Sequence, residues 1–368
     1  MDILYTVLCA VIVIGFLVAI HEGGHFLAAR AFGVRVTEFM IGLPGPSVGF
    51  KVGETRFGLT AIPLGGYAKV CGMETEDVAP CLKEVMTYVY KNGTVTLDEV
   101  AHGCDISEED AELALEELSE WGSIVICGKR SADRVYKTPD SVPSRKVKKF
   151  AKTHCLPMPV ALPEGSARNV LDADVLFESE YSKQYRSLPF WKRSVIVLAG
   201  IAVNLLFAIL AFIFIYSVIG IDYTTQSGEV VHFNATPLQS LQAGFSYIGM
   251  VFQAIVGLFN PQTAAQTVSE SSSIVGIAVM SADFFSRGLV DALFFMAAIS
   301  VSLGLMNLIP IPPLDGGRFL VEVIQKVTGR EVPMKVMGYV SMAGMALFLC
   351  FFVFMLNQDV QRFVFGNW

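Results

Sequence analysis

Residues 17–27 read Leu17-Val18-Ala19-Ile20-His21-Glu22-Gly23-Gly24-His25-Phe26-Leu27. On a helix, residues four apart share a face, so the two imidazoles fall about 6 Å from each other, with Glu22 beside them. This is the H-E-x-x-H arrangement: two metal ligands and a glutamate placed to take a proton from an attacking water. The stretch closes an apolar run that starts at residue 3. Ionisable side chains at the end of a membrane helix are costly, and functional by default. Gly23 and Gly24 each cost about 1 kcal/mol in a helix interior relative to Ala. That cost has a use where a second backbone must approach the metal.

A bilayer is spanned by about 20 apolar residues, and runs of that kind recur at 3–20, 194–219 and 337–356. Residues 289–309 are nearly as apolar and end in a proline-rich turn, while 241–259 carry Gln242, Ser246 and Gln253. The 368 residues are 53% hydrophobic and 17% charged, with mean hydropathy +0.54. A soluble chain carries about 25% charged residues, so composition excludes soluble, disordered, collagenous and disulfide-stapled classes. The start Met1-Asp2-Ile3-Leu4 lacks the basic beginning of a signal peptide, and the first run is read as a retained helix.

Of the 27 Lys and Arg, 21 lie between Arg30 and Arg193, and Arg318, Lys326, Arg330 and Lys335 follow the third span. Only Arg287 and Arg362 lie elsewhere. The positive-inside rule then sets residues 36–190 in the cytosol, turns both termini outward, and assigns the chain to the cytoplasmic membrane. Cys71, Cys81, Cys104, Cys127 and Cys155 fall on the reducing side, and no CxxC pair occurs, so no disulfide or cysteine metal site is expected.

A catalytic zinc takes three protein ligands and keeps one position open. His102 and His154 lie in the cytosolic insert and His232 on the opposite side, which leaves a carboxylate. The third span ends Asn307-Leu308-Ile309-Pro310-Ile311-Pro312-Pro313-Leu314-Asp315-Gly316-Gly317. The prolines break the helix, and broken backbone at membrane depth is tolerated only where protein or a water-filled cavity satisfies it. This span runs inward, so Asp315 arrives on the side of His21 and His25.

Together these stretches resemble the site-2 protease family, the zinc intramembrane metalloproteases, in its bacterial form. The family pattern is H-E-x-G-H on the first core helix and N-x-x-P-x-P-x-L-D-G on a later one. Both are complete, in residues 21–25 and 307–316. Residues 36–70, ending Ile62-Pro63-Leu64-Gly65-Gly66-Tyr67-Ala68-Lys69-Val70, are similar to the family's membrane-associated β-hairpin loop. Pro189-Phe190-Trp191-Lys192-Arg193 and Gly200-x-x-x-Asn204 are similar to the entry of its second helix. The resemblance covers about 1–75 and 187–360. It implies one Zn2+ held by His21, His25 and Asp315, Glu22 as catalytic base, and Asn307 and Asn204 as polar contacts to the substrate backbone. The substrates it implies are transmembrane proteins, cut within the lipid bilayer. Such a helix already uses its backbone groups internally and must be unwound locally. Residues 36–70, with Gly42, Gly45, Gly49, Gly53 and Gly58, either offer it a strand edge or lie as an amphipathic hairpin on the headgroups.

The expected architecture is an α-helical polytopic membrane protein with four core transmembrane helices. The first helix takes 1–35, the β-hairpin loop 36–75, a cytosolic insert 78–142 and a linker 143–190. The second helix takes 191–220, followed by an outer-face segment, 221–287, with an interfacial helix at 239–260, whose stretch 241–259 lies at the outer interface or re-enters without crossing. The third helix takes 288–317, a cytosolic loop 318–335, the fourth helix 336–357 and a tail 358–368. The chain departs from its relatives at Ile201, where Pro is common, and at Ser272-Ser273, where many have Ser-Gly. Residues 220–236 are too short for the PDZ domain that close bacterial relatives carry.

In the insert, helical spacing covers 82–91, and a short helix covers 96–101. A helix from Ser107 to Trp121 follows, with Ser107-x-x-Asp110 as its capping box. Residues 123–127 and 134–138 read as a hairpin. This order is similar to a winged-helix domain. The third helix carries Glu108, Glu109, Asp110, Glu112, Glu116, Glu117 and Glu120 and no Lys or Arg, which repels phosphates, so no nucleic acid is expected. Lys129, Arg130, Arg134 and the run 145–149 either meet anionic headgroups or form a solvated surface. A cytosolic protein partner for 78–142 is expected. Two other readings stand beside the protease: a catalytically silent membrane scaffold or sensor acting through the insert, and a metal transporter using His21 and His25.

Overall fold

The computed structural model describes residues 2–62, 65–73, 79, 81–128, 134–141, 152, 160–224, 229–312, 314–330, 332, 334–363 and 365. Helix α1 (Ile3–Ala31) opens on Asp2, whose carboxylate accepts from Leu4 N at 3.1 Å, satisfying one of the orphan donors of a helix start. Among the described residues, four helices are long and apolar enough to cross a membrane: Ile3–Ala31, Phe190–Ile219, Leu289–Asn307 and Val336–Phe363. Large apolar side chains such as Ile3, Leu210 and Leu347 are exposed along them, as suits a helix whose solvent is lipid. The chain is a helical, membrane-embedded protein.

After α1 come β1 (Val36–Ile41), β2 (Ser47–Val52), β3 (Thr55–Thr60) and β4 (Gly66–Val70). They form one mixed sheet in the order β2-β3-β1-β4, with β1 and β3 parallel and the other pairs antiparallel. The expected β-hairpin is therefore only the β2–β3 part of a larger sheet. A local turn announces a hairpin in sequence, whereas the parallel pairing of β1 with β3 is non-local and leaves no such mark.

The insert holds α2 (Leu82–Asn92), β5 (Thr94–Thr96), α3 (Leu97–Cys104), α4 (Glu108–Glu120), β6 (Val125–Cys127) and β7 (Val135–Lys137). Its strands pair in the order β5-β7-β6, over a core that includes Met86, Leu115, Leu118, Trp121 and Tyr136. Lys129, Arg130 and the run 145–149 lie outside the described residues. The linker read over 143–190 is structured in its second half. Helix α5 (Ala173–Tyr181) folds back on the insert, and its Phe177 and Tyr181 rings both lie 5.8 Å from Trp121. Pro157, Pro159 and Pro163, which read as an irregular linker, masked the return in sequence. Its cause is the aromatic face of α5, which packs against the core of the insert.

Helix α6 (Phe190–Ile213) continues as a π-helical turn to Ile219. A hairpin of β8 (Ile221–Thr224) and β9 (Val230–Phe233) leads to α7 (Pro237–Gly257), capped by a reciprocal Thr236–Gln239 box. The helix expected at 239–260 packs along α6. Ser240 meets Ser217 at 2.6 Å, and Gly244 faces Phe212 and Ile209. As α7 advances, its contacts step back along α6, so the two run antiparallel, with Tyr247, Val251 and Ile255 in the shared core. Helices α8 (Ala264–Glu270) and α9 (Ile274–Arg287) follow, and α9 sets Ile277, Met280 and Phe284 against Val13, Leu17 and Phe295.

Helix α10 (Leu289–Asn307) ends before the proline-rich turn, and α11 (Asp315–Thr328) starts at the aspartate itself. The expected loop 318–335 is thus mostly helical, and the span read as 288–317 is two elements joined by a turn. The last helix, α12 (Met334–Phe363), overruns its expected end at 357. Asp359, fully buried, accepts from Ser273 N at 2.6 Å and Gly276 N at 2.9 Å. That partnership at the start of α9 lets the helix continue through polar residues that an apolarity criterion reads as a tail.

Candidate active site

Three side chains from two elements converge at one point. His21 and His25 share a face of α1, and Asp315 reaches them from the first residue of α11. Asp315 Oδ2 lies 3.1 Å from His21 Nε2 and 3.1 Å from His25 Nε2, and the two Nε2 atoms are 3.4 Å apart. All three donor atoms lie within 4.8 Å of one another, with both histidines buried. The turn that delivers Asp315 is close-packed: a Cβ on Gly316 would run into Leu308 O, and one on Gly317 into the backbone of Ile311 and Pro312.

Helix α6 forms the wall behind the imidazoles. His25 Nδ1 donates to Ile196 O at 2.8 Å, which leaves its Nε2 lone pair facing the other two donors. One turn on, Gly200 abuts the rings, and a Cβ there would strike His25 Nε2 and come within 2.8 Å of His21 Cε1. Gly24 is its counterpart on α1, where a Cβ would stand 2.6 Å from Ala199 O. The glycines let two helices close around the histidines.

Glu22 points another way. Its Oε2 accepts from Ala68 N on β4 at 3.0 Å, so the sheet is fastened to α1 beside the histidines. Gly66, also on β4, makes this approach possible, since a Cβ there would lie 2.8 Å from Val18 and 3.0 Å from Met40 O. The structure thus brings His21, His25 and Asp315 together, with Glu22 next to His21 in the chain and its carboxylate turned to β4. Asn307 donates to Leu303 O of its own helix at 3.0 Å. Asn204 is fully buried behind His21, its amide 3.2 Å from His21 Nδ1. The His21 ring stands between it and the other donors. Sequence reasoning missed Ala68 and Ile196, which act through backbone atoms and carry no side-chain signal. The spacing Gly200-x-x-x-Asn204 was the only mark of the α6 wall.

The sequence pattern that defines Peptidase family M50 matches residues 9–351. The chain belongs to Peptidase family M50. Similar full-length proteins include a Clostridium perfringens relative provisionally named a zinc metalloprotease, 26% identical, with 96% of this chain and 98% of that protein covered. The zinc metalloprotease RasP of Geobacillus kaustophilus is 24% identical, over 98% of this chain and 99% of its own length. The regulator of sigma-W protease RasP of Bacillus subtilis is 21% identical, over 97% and 98%. This M50 chain is a metalloendopeptidase that works with zinc. Its donor set fits that ion: two imidazole nitrogens and a carboxylate oxygen suit zinc in a catalytic site with one position left open, and the bond from His25 Nδ1 to Ile196 O is the kind of outer contact that orients a ligating histidine.

A second cluster ties this site to the insert. Arg35, just past α1, donates to Glu180 Oε2 at 2.8 Å, to Trp121 O at 3.0 Å and to Glu54 Oε1 at 3.1 Å. Ser123 Oγ also donates to Glu180 Oε2, at 2.8 Å. Burial alone would raise the Glu180 carboxyl, but the Arg35 and Lys183 charges outweigh it and hold the pKa at about 2.

Proposed function

We propose that this M50 peptidase cleaves the backbone of transmembrane segments in membrane-protein substrates, near the cytosolic face of the cytoplasmic membrane. The observation that carries the reading is the meeting of Asp315, which follows the span-length helix α10, with His21 and His25 on α1, itself long and apolar enough to span a bilayer. The same three residues would hold one zinc, which when bound supplies Lewis-acid polarisation and acidifies water at neutral pH. Glu22 accepts the proton of the attacking water and delivers it to the leaving amine. Asn307, near the end of α10, is proposed as a contact to the substrate backbone. With Glu22 and Asp315 both in place, the silent-scaffold reading loses its motive.

Strand addition is supported by the sheet. Among the described residues, strand β4 pairs with β1 on one side only, and its other edge turns Ala68 N toward Glu22. A substrate unwound from its helix and laid along that edge satisfies its exposed backbone groups while passing the base. The B. subtilis relative is named for its regulation of sigma-W, and regulated proteolysis of a membrane-bound regulator is proposed here by that likeness. The insert, with its three helices and three-stranded sheet in winged-helix order, is read as a docking module for a cytosolic protein, and the antiparallel packing of α7 on α6 supports a re-entrant α7 that leaves Asp315 on the cytosolic side.

The test is to incubate the purified protein in detergent with a panel of single-span helices and map the cuts by mass spectrometry. Cuts inside the apolar segment, absent with Glu22→Gln, are expected. Cuts confined to the soluble flanks would refute the reading.

A further inference from the structure

Asn204 sits midway along α6 with its side-chain amide against the back of His21. As placed, the amide nitrogen lies 3.2 Å from His21 Nδ1, while the amide oxygen is buried with no hydrogen-bond partner among the described residues. An imidazole that gives its Nε2 lone pair to a metal carries its proton on Nδ1. An amide NH2 facing that proton sets donor against donor. Turning the terminal amide by 180° exchanges two atoms of nearly equal size and sets the oxygen against the ring nitrogen.

We infer that Asn204 accepts the Nδ1–H of His21 through its amide oxygen and so holds His21 in the tautomer and orientation that ligate zinc. The inference rests on the zinc-peptidase reading and deepens it. Asn204 is a positioning residue, matching on His21 what the Ile196 carbonyl does for His25. The two supports and Gly200 follow one another at four-residue steps, 196, 200 and 204, on the face of α6 that meets α1. The side chain is held on a rigid element, as orientation of a ligand demands. Ser300 Oγ on α10 donates to Asn204 O at 2.9 Å, and a Cβ on Gly304 of α10 would stand 3.4 Å from Asn204 Cβ.

The experiment uses the full chain in detergent. Zinc affinity is measured by chelator competition, and the visible spectrum of the Co2+-substituted protein reports ligand geometry. Loss of such an outer partner costs typically about 10–100-fold in metal affinity, and that weakening, with an altered Co2+ spectrum, is expected for Asn204→Leu. Asn204→Asp has only acceptor oxygens and is expected to hold zinc at least as tightly as wild type. Ser300→Ala, which leaves the amide in place, is expected to keep wild-type affinity. Wild-type affinity and spectrum in Asn204→Leu would overturn the inference. So would Asn204→Asp falling to the Leu level, because an amide that donates to Nδ1 cannot be replaced by a carboxylate. Thermal unfolding of each zinc-free variant separates a misfolded chain from a loosened ligand, and the Asp result stands whether or not the Leu variant folds. Failure of the underlying reading shows in a different place: wild type without stoichiometric zinc, or zinc retained in His25→Ala, would overturn both.

Discussion

Gly200 illustrates how narrow the tolerances of this site are. It is hydrogen where any other residue has a carbon, and that carbon would occupy the space of the His25 and His21 rings. Gly200→Ala is expected to cost the protein its zinc, read as metal per chain after gel filtration, because the rings must rotate away from Asp315. An alanine variant with stoichiometric zinc would show that α6 yields more than its packing indicates. The same scale sets what was legible in the sequence. His21, Glu22, His25 and Asp315 could be found because ionisable groups in apolar runs need a reason, and helical periodicity supplies their geometry. The register of α6 against α1 could not. Gly200 and Asn204 were visible as a spacing, but only packing shows that one makes room for the rings and the other stands behind His21.

Among the elements, the junction of α1, the sheet, the insert and α5 is held by Arg35, whose guanidinium is 5% exposed, against a Glu180 carboxylate that is 7% exposed. Removing one partner of a buried pair leaves the other charge uncompensated. Arg35→Met is expected to destabilise this junction by about 3 kcal/mol, seen as faster hydrogen exchange in α5 and around Trp121. The pH dependence follows from the lowered carboxyl of Glu180. Its native value of about 2 lies below that of an unfolded glutamate, so the contribution is complete above roughly pH 4.5. It falls away as the pH drops toward 2. Glu180→Gln should flatten the acid limb of the exchange profile, and an unchanged limb would rule the pair out as its cause. Sequence periodicity located the helices of the insert closely, since caps are local: Ser107 Oγ accepts from Asp110 N and Thr96 Oγ1 from Glu99 N. It missed α5 as the cover for Trp121 and the parallel β1–β3 pairing, because both depend on partners distant in the chain.

For the whole molecule, the proposed sidedness makes the insert and α11 cytosolic and the β8–β9 hairpin and the end of α9 external. Single cysteines at Asp222 and Asp283, in an otherwise cysteine-free chain, are expected to react with an impermeant thiol reagent from outside intact cells. Cysteines at Lys83 and Lys326 should react only after lysis. Labelling of Asp222 and Asp283 from opposite sides would mean that α7 and α9 together make a net crossing, which would carry Asp315 away from His21. Such a result conflicts with the 3.1 Å contact between them. Every larger claim depends on ligands and base being separate residues: His21, His25 and Asp315 hold the metal, and Glu22 moves the proton. The measurement that tests this most directly is zinc content together with cleavage of a single-span substrate, for wild type, Glu22→Gln and His25→Ala. The account predicts one zinc per chain in wild type and Glu22→Gln, with turnover only in wild type and neither zinc nor turnover in His25→Ala. Undiminished cleavage by Glu22→Gln, or a full complement of zinc in His25→Ala, would contradict it.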